Sequence, residues 1–171
     1  MGRTDFGAMN CSIARTLDVV GERWALLVLR ESFFGTRRFE DFLQRLGIAR
    51  NVLSDRLDRL VQAGIMRKER YQDRPERFEY RLTEKGIALN DVVLAIKAWG
   101  DRWTDSAGNP PTVVRHLDCG QTFEAVPVCS ECGGRVHARN VRAEPGPGAT
   151  ADDVAGWEER LEAAAARRAS R

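Results

Sequence analysis

The sequence has few of the residues that most enzymes need at an active site. Only two histidines occur in 171 residues, and neither a nucleophile with its base nor a pair of carboxylates can be assembled from the residue order. No apolar run approaches the roughly 20 residues of a transmembrane helix, and the start MGRTDFGAMN lacks the apolar segment of a signal peptide. These absences predict a cytoplasmic protein that is not an enzyme.

An excess of charge of either sign is also missing. The formal net charge is +2, and the hydrophobic share of 43% is ordinary for a globular chain. Any basic surface for nucleic acid must therefore be local, so the positions of individual arginines decide the function. The length suits one domain of usual size followed by one small module.

Apolar spacing predicts four helices in the first third of the chain. Two cover residues 12–31 and meet near Gly21, and a short third helix ends at Gly47, a residue suited to a left-handed helix cap. The fourth covers about residues 49–63 and stops at Gly64. Its core-facing side chains are Leu53, Leu57, Leu60 and Val61.

A hairpin and a long helix are predicted next. Residues 65–71 and 78–82 read as strands joined by a charged turn over residues 72–76. Thr83 then begins one helix whose apolar stripe reaches Trp103. This order is typical of a winged helix-turn-helix domain, mainly α with a small β-hairpin (α+β), and we assign DNA binding and dimerisation to residues 1–105.

Candidate DNA-binding residues lie on three consecutive elements. In a winged helix-turn-helix the fourth helix enters the major groove, and the hairpin wing lies beside it. Arginines precede the third helix, polar side chains cover the outer face of the fourth, and further arginines flank the wing tip. The predicted residues are Arg37, Arg38, Arg50, Asn51, Ser54, Asp55, Arg56, Arg74 and Arg77.

Two of these residues are predicted to read bases. Arginine binds guanine in bidentate fashion and asparagine binds adenine, which assigns base contacts to Arg50 and Asn51. Asp55 would accept from a cytosine amino group or pair with an arginine. A solvated helix face is the alternative interpretation, but cations recurring on three elements favour DNA, where the remaining arginines would contact phosphates.

Several segments resemble the HxlR-type winged-helix regulators: Cys11, LDVVGERWALLVLRE, the pair Arg38 and Phe39, SDRLDRL and RFEYRLTEKG. Together they cover roughly residues 11–103. The resemblance implies a transcriptional regulator, with a repressor as the first expectation and an activator as the alternative. It also implies a homodimer on palindromic operator DNA, with the first helix and the helix over residues 89–103 at the subunit interface.

The same resemblance draws attention to Cys11. Some members sense oxidants or electrophiles through a cysteine just before the first helix, and Cys11 is at the matching position. A helix N-terminus favours the thiolate that such sensing requires. A small residue at the dimer interface is the alternative. A small-molecule or oxidant effector is therefore an open expectation.

A zinc-ribbon-like β module is predicted for residues 112–143. His116 and Cys119 form one pair of potential ligands and Cys129 and Cys132 another, each with two residues between them and a glycine behind. Reduced cysteines of a cytosolic protein favour metal over disulfides, so the set predicts a closed, structural zinc site. His137 is a rival fourth ligand, and a metal-free ribbon is the alternative.

The end of the chain supplies a competing function. Residues 144–171 are predicted to be a linker and a C-terminal tail or helix, with Trp157 on its apolar side. In the competing hypothesis the protein is an interaction adaptor, whose ribbon and tail recruit a partner without specific DNA binding. The charged fourth helix and wing disfavour it, because a protein-binding face should be more apolar.

Overall fold

The computed structural model describes residue 6, residues 9–104 and residues 109–169, without the side chains of residues 164–169. It divides the chain into two compact units. One consists of residues 16–126, and the other of residues 1–15 together with residues 127–171. The former contains the predicted winged helix from Thr16 onward and the first pair of candidate zinc ligands, and the latter contains the second pair.

Four helices come first along the chain: α1 Ser12–Val20, α2 Arg23–Phe33, α3 Phe39–Leu46 and α4 Arg50–Gln62. The break between α1 and α2 lies at Gly21, as predicted, where a Cβ atom would come within 2.4 Å of the Leu17 carbonyl oxygen. Gly47 ends α3 in a left-handed conformation with φ of 60°, which a residue without Cβ adopts readily. The predicted helices are confirmed.

The wing is the antiparallel hairpin of β1 Met66–Asp73 and β2 Glu76–Leu82. Both strands are longer than predicted, so that only Arg74 and Pro75 remain in the turn and Asp73 pairs with Glu76. The predicted five-residue turn was wrong because the wing tip is solvated on both faces. Its polar residues therefore lack the alternation that marks a half-buried strand.

The single long helix predicted from Thr83 is also wrong. Thr83 does begin a helix, accepting a hydrogen bond from the Gly86 amide at 3.2 Å, but this helix, α5, covers only Glu84–Ile87, and α6 covers Asn90–Trp103. Gly86 is packed so tightly that an added Cβ would lie 2.1 Å from the Ile65 carbonyl oxygen. Because this contact sets the direction of α5, the chain turns at residues 88–89 before α6 starts.

Helix α5 also holds the carboxyl end of α4. The Thr83 hydroxyl donates to the Gly64 carbonyl at 2.7 Å, and the Lys85 ammonium donates to the Ala63 carbonyl at 2.8 Å. These two bonds satisfy carbonyl groups that a helix end leaves without an intrahelical partner. The end of α4 and the start of the wing are thereby attached to α5.

The core lies between α2, α3, α4 and the first residue of the wing. Its largest fully buried side chains are Val28, Leu29, Phe42, Leu53, Leu57, Leu60 and Met66. The face predicted for α4 is therefore correct, except that Val61 is only partly buried. Trp24 packs against the same cluster, as expected. Burial of each such side chain contributes about 1.5–3 kcal/mol.

Two short turns follow the winged helix. Strands β3 Val114–Arg115 and β4 Thr122–Phe123 pair in one, and a bridge between Val128 and Arg135 closes the other. None of residues 111–142, all of which the structure describes, is buried. Apolar packing therefore contributes little to holding this segment.

The C-terminal segment is a helix, α7, covering Ala151–Ala169. It begins with a reciprocal cap, in which the Thr150 hydroxyl accepts from the Asp153 amide at 3.1 Å and the Asp153 carboxylate accepts from the Thr150 amide at 2.8 Å. The Asn10 side chain also donates to Asp153 at 2.6 Å. Neither α7 nor any other helix within the described ranges has the length and apolar character needed to cross a membrane.

Candidate nucleic-acid interface

The amino end of α4 presents an exposed polar face. Arg50, Asn51, Ser54 and Asp55 are all exposed, on the side opposite the buried leucines. Asn51 and Ser54 make no side-chain hydrogen bond with any residue that the structure describes, so both are available to a ligand. Asp55 pairs with Arg59 one turn away at 3.0 Å, which is one of the two roles predicted for it.

Arg50 is held by an acidic residue that the sequence analysis did not identify. Its two terminal nitrogens donate to the two carboxylate oxygens of Glu40 at 2.8 and 2.9 Å. The guanidinium carbon also lies 5.2 Å from the centre of the Phe39 ring. The hydrogen bond from Arg50 lowers the pKa of Glu40 and raises that of Arg50. Because the two residues are on different helices, only the packing of α3 on α4 reveals this pair.

Arg56 does not lie on the exposed face of α4, from which it was predicted to contact DNA. Its side chain is only 9% exposed and lies 3.5 Å from Glu22 and 3.6 Å from Asp55. Positions 53, 56, 57 and 60 share the core-facing side of α4, so the aliphatic stem of Arg56 is buried. Its Nε atom has no hydrogen-bond partner among the described residues.

The segment before α3 is joined to the wing. The Tyr80 amide donates to the Arg37 carbonyl at 2.8 Å, and Arg38 forms a β-bridge with Glu79. The Arg38 guanidinium lies 4.7 Å from the centre of the Tyr71 ring on β1. The structure therefore brings the predicted arginines of this segment against the wing.

The two arginines predicted at the wing tip are available to a ligand. Arg74 and Arg77 are exposed, and neither forms a side-chain hydrogen bond or ion pair within the described part of the chain. Arg70 beside them is paired with Asp73 at 3.2 Å and with Glu76 at 3.4 Å. Arg74 and Arg77, unlike Arg70, can therefore contact a phosphate without losing an existing partner.

One concave surface connects α3 to the wing. A cavity of about 550 Å³ is lined by residues 38–41 and by both wing strands, including Arg77 and Lys68. Lys68, which the sequence analysis passed over, lies 4.3 Å from the centre of the Phe78 ring. Since Glu40 is part of this surface and also binds Arg50, the surface continues to the amino end of α4.

Each candidate pair of zinc ligands is brought together locally. The Nδ1 atom of His116 lies 3.3 Å from the Cys119 sulfur. Cys129 is hydrogen-bonded by the backbone amides of Cys132 and Glu131, which lower the pKa of its thiol. Among the described residues, no group of three or more His, Cys, Asp or Glu side chains is positioned to hold a metal ion. The arrangement is therefore one of separate pairs.

Cys11 has the position expected of it. Its carbonyl accepts a hydrogen bond from the Arg15 amide at 3.0 Å, so it immediately precedes the first turn of α1. The thiol is free and partly exposed. Both predictions for it, oxidant sensing and packing at a dimer interface, stay predictions.

Comparison with known proteins identifies the family. Residues 19–107 match the model of the HxlR-like helix-turn-helix family. The chain belongs to this family. The HTH-type transcriptional regulator Rv3095 of Mycobacterium tuberculosis (strain ATCC 25618 / H37Rv) is 46% identical over 137 residues, which are 80% of this chain and 87% of the relative. Because 137 residues are aligned and the family match ends at residue 107, the similarity to this relative extends beyond the helix-turn-helix region.

Solved structures agree with this assignment to the HxlR-like family. The crystal structure of PA1607, described as a candidate transcription factor, has a TM-score of 0.75 at 33% identity and covers 84% of this chain and 100% of its own. The oxidized form of the redox regulator HypR has a TM-score of 0.52 at 34% identity, covering 56% and 99%. The protein is therefore a transcriptional regulator of winged-helix type, in a family that is generally not enzymatic.

Proposed function

We propose that this HxlR-like protein represses transcription by binding palindromic operator DNA as a homodimer. The observation that supports this most is a set of polar and cationic side chains along one surface, at the start of α4 and at the wing tip, that have no side-chain partner among the described residues. Solvent-exposed groups without an intramolecular partner can bind DNA without first breaking a contact. No role in packing accounts for them.

Base reading and backbone binding are divided between the two elements. Asn51 would contact a base edge in the major groove, where asparagine pairs with adenine. To contact a guanine, the Arg50 guanidinium would release the Glu40 carboxylate. Arg50 would therefore bind DNA only where a base takes the place of that carboxylate. Arg74 and Arg77 would bind phosphates, which position the protein irrespective of sequence.

Helix α6 supplies the surface for a second copy. None of its residues is buried, and Ile96, Trp99 and Trp103 are 48%, 63% and 64% exposed. These three lie on one face of the helix at i, i+3 and i+7. A contiguous apolar face of this kind is rare on a monomer, and an equivalent helix of a second subunit would cover it.

Selection of bound duplexes from a random pool, with the purified protein at physiological salt, tests the proposal. We expect an enriched palindrome whose half-sites lie about one helical turn apart. Weak, salt-sensitive binding without enrichment would contradict it and would favour the adaptor hypothesis.

Variants separate the two kinds of contact. Asn51→Ala should weaken operator binding by roughly 1–3 kcal/mol and leave random DNA nearly unaffected. Arg77→Ala should weaken binding to both, whereas the matched control Arg70→Ala should change less because Arg70 is already paired with Asp73 and Glu76. Equal losses on both DNAs for Asn51→Ala would exclude base reading by that residue.

The dimer has a separate test. Trp99→Glu should convert the protein to a monomer in sedimentation, because a charge would be buried in the apolar interface. Val141→Glu changes a side chain that is 55% exposed and lies outside α6, and it should leave the dimer intact. A dimeric Trp99→Glu variant would show that α6 is not the interface.

A further inference from the structure

A cavity lies between α2, α6 and the chain segment of residues 111–115. Its volume is about 500 Å³, within the range of about 300–1,000 Å³ that is usual for small-molecule sites. Every residue that lines it belongs to the unit of residues 16–126. It shares no lining residue with the concave surface beside the wing, so it is a second, separate site.

The wall of this cavity is mainly apolar. Five of its apolar side chains are partly buried, namely Leu26, Leu27, Phe33, Val93 and Leu94. Phe34 and Val113 also line the cavity, and their side chains are 66% and 68% exposed. A ligand with a hydrocarbon part would remove this surface from water, which is the main favourable contribution to binding of such a ligand.

The cavity uses a different face of α6 from the proposed dimer interface. Its lining residues on this helix recur at helical spacing, among them Asn90, Leu94, Lys97 and Asp101. Trp99 and Trp103 do not line the cavity, and Ile96 is the residue that the two surfaces share. A second subunit on the tryptophan face and a ligand in the cavity would therefore not compete for the same side of α6.

The charged groups of the lining are mostly cationic. Within the described chain they are three cations and one carboxylate: Arg30, Lys97, Arg115 and Asp101. Lys97 is paired with Asp101, and Arg30 with the buried Glu31 at 2.7 Å. Arg115 donates to the carbonyl of Gly120 and forms no ion pair with any residue that the structure describes. Arg115 is therefore the cation that can take a carboxylate from a ligand without losing one of its own.

We propose that this cavity binds a small hydrophobic carboxylic acid in its anionic form, with Arg115 holding the carboxylate. The leucine, valine and phenylalanine side chains would cover the hydrocarbon part. A guanidinium group binds a carboxylate through two parallel hydrogen bonds. A cationic ligand would be repelled by the excess of positive charge, and a wholly polar ligand would gain nothing from the apolar wall. The site goes beyond the proposed operator binding, because none of the residues assigned to DNA contact lines it.

Titration calorimetry of the full-length protein without DNA tests the ligand class. The probes are naphthoate and naphthamide, which have the same ring system and differ in charge. We expect naphthoate to bind at one molecule per chain and roughly tenfold more tightly than naphthamide, since hydrogen bonds to a charged group are the stronger ones. Absence of naphthoate binding, or equal affinities for the two probes, would overturn the proposal. Because no DNA is present, the result does not depend on the proposed operator binding.

A variant tests the role of Arg115. Arg115→Met keeps an apolar stem and removes the charge, so the affinity for naphthoate should fall to that for naphthamide. The matched control Arg45→Met changes an exposed arginine on α3 that does not line the cavity, and it should leave both affinities unchanged. A preference for naphthoate that persists in Arg115→Met would overturn the assignment of Arg115.

Methyl NMR of the wild type locates the ligand independently of any variant. The ring current of bound naphthoate should shift the methyl signals of Leu27, Val93 and Leu94, which line the cavity. The methyl signals of Leu57 and Leu60, which are buried in the core and do not line it, should change little. Shifts centred on methyl groups outside the cavity would overturn the site.

Discussion

Replacement of Arg56 by methionine should make the protein more stable without weakening DNA binding. The buried Nε atom of Arg56, which has no hydrogen-bond partner in the part of the chain that the structure describes, is destabilising by about 1–3 kcal/mol. Against this, the ion pairs at 3.5 and 3.6 Å join Arg56 to Glu22 and Asp55, whose side chains are 47% and 49% exposed. Solvent screens such pairs, so each contributes only about 0–1 kcal/mol. Methionine keeps most of the stem, and the net gain is about 1 kcal/mol.

Urea unfolding of three proteins measures this effect: the wild type, Arg56→Met and Arg56→Ala. The alanine variant leaves a cavity and should be about 2–5 kcal/mol less stable than the methionine variant. Titration with operator and with random DNA should give the same affinities for Arg56→Met as for the wild type. A methionine variant that unfolds at lower urea concentration than the wild type would refute the stability argument. A DNA affinity that depends less steeply on salt would also refute the reasoning, because it marks a lost phosphate contact.

Three further predictions concern other sites. Glu40→Gln should tighten operator binding in a titration, because it frees Arg50 from its ion pair. The same substitution in an Arg50→Ala background should give no such gain in affinity. An equal gain in both backgrounds would contradict the proposal that Arg50 exchanges Glu40 for a base. Gly86→Ala should lower the free energy of unfolding by about 1–3 kcal/mol through the clash with Ile65. The control Gly156→Ala on α7, where a Cβ meets nothing within 4 Å, should not lower it, and comparable losses for the two variants would exclude the clash. Cys11→Ser should make DNA binding insensitive to oxidants in a mobility-shift assay, and unchanged sensitivity would leave Cys11 no sensing role.

Features determined by local spacing were predictable from the sequence. The ends of α3 and α4 follow from apolar periodicity and from Gly47 and Gly64, because helix caps depend on residues close in the chain. The two cysteine-containing turns follow in the same way from their glycines. In each case the residues that determine the structure lie within a few positions of one another.

Features determined by tertiary contacts were not predictable in this way. The apolar stripe continues through both α5 and α6, whereas in the structure α5 ends at Ile87 and its Gly86 packs tightly against Ile65. The Glu40–Arg50 pair depends on the packing of two helices. Arg56 is different, because its position three residues after Leu53 already placed it on the core side of α4.

The attachment of α5 to the carbonyl groups of residues 63–65 has a consequence for operator architecture. Through Thr83, Lys85 and Gly86, this one-turn helix connects the end of α4 to the start of α6 with no flexible linker between them. In a dimer joined through α6, the distance between the two copies of α4 would therefore be a rigid property of the fold. Such a dimer would bind only operators whose half-site spacing matches that distance. Inserting a single base pair between the half-sites should therefore abolish binding even when both half-sites remain intact.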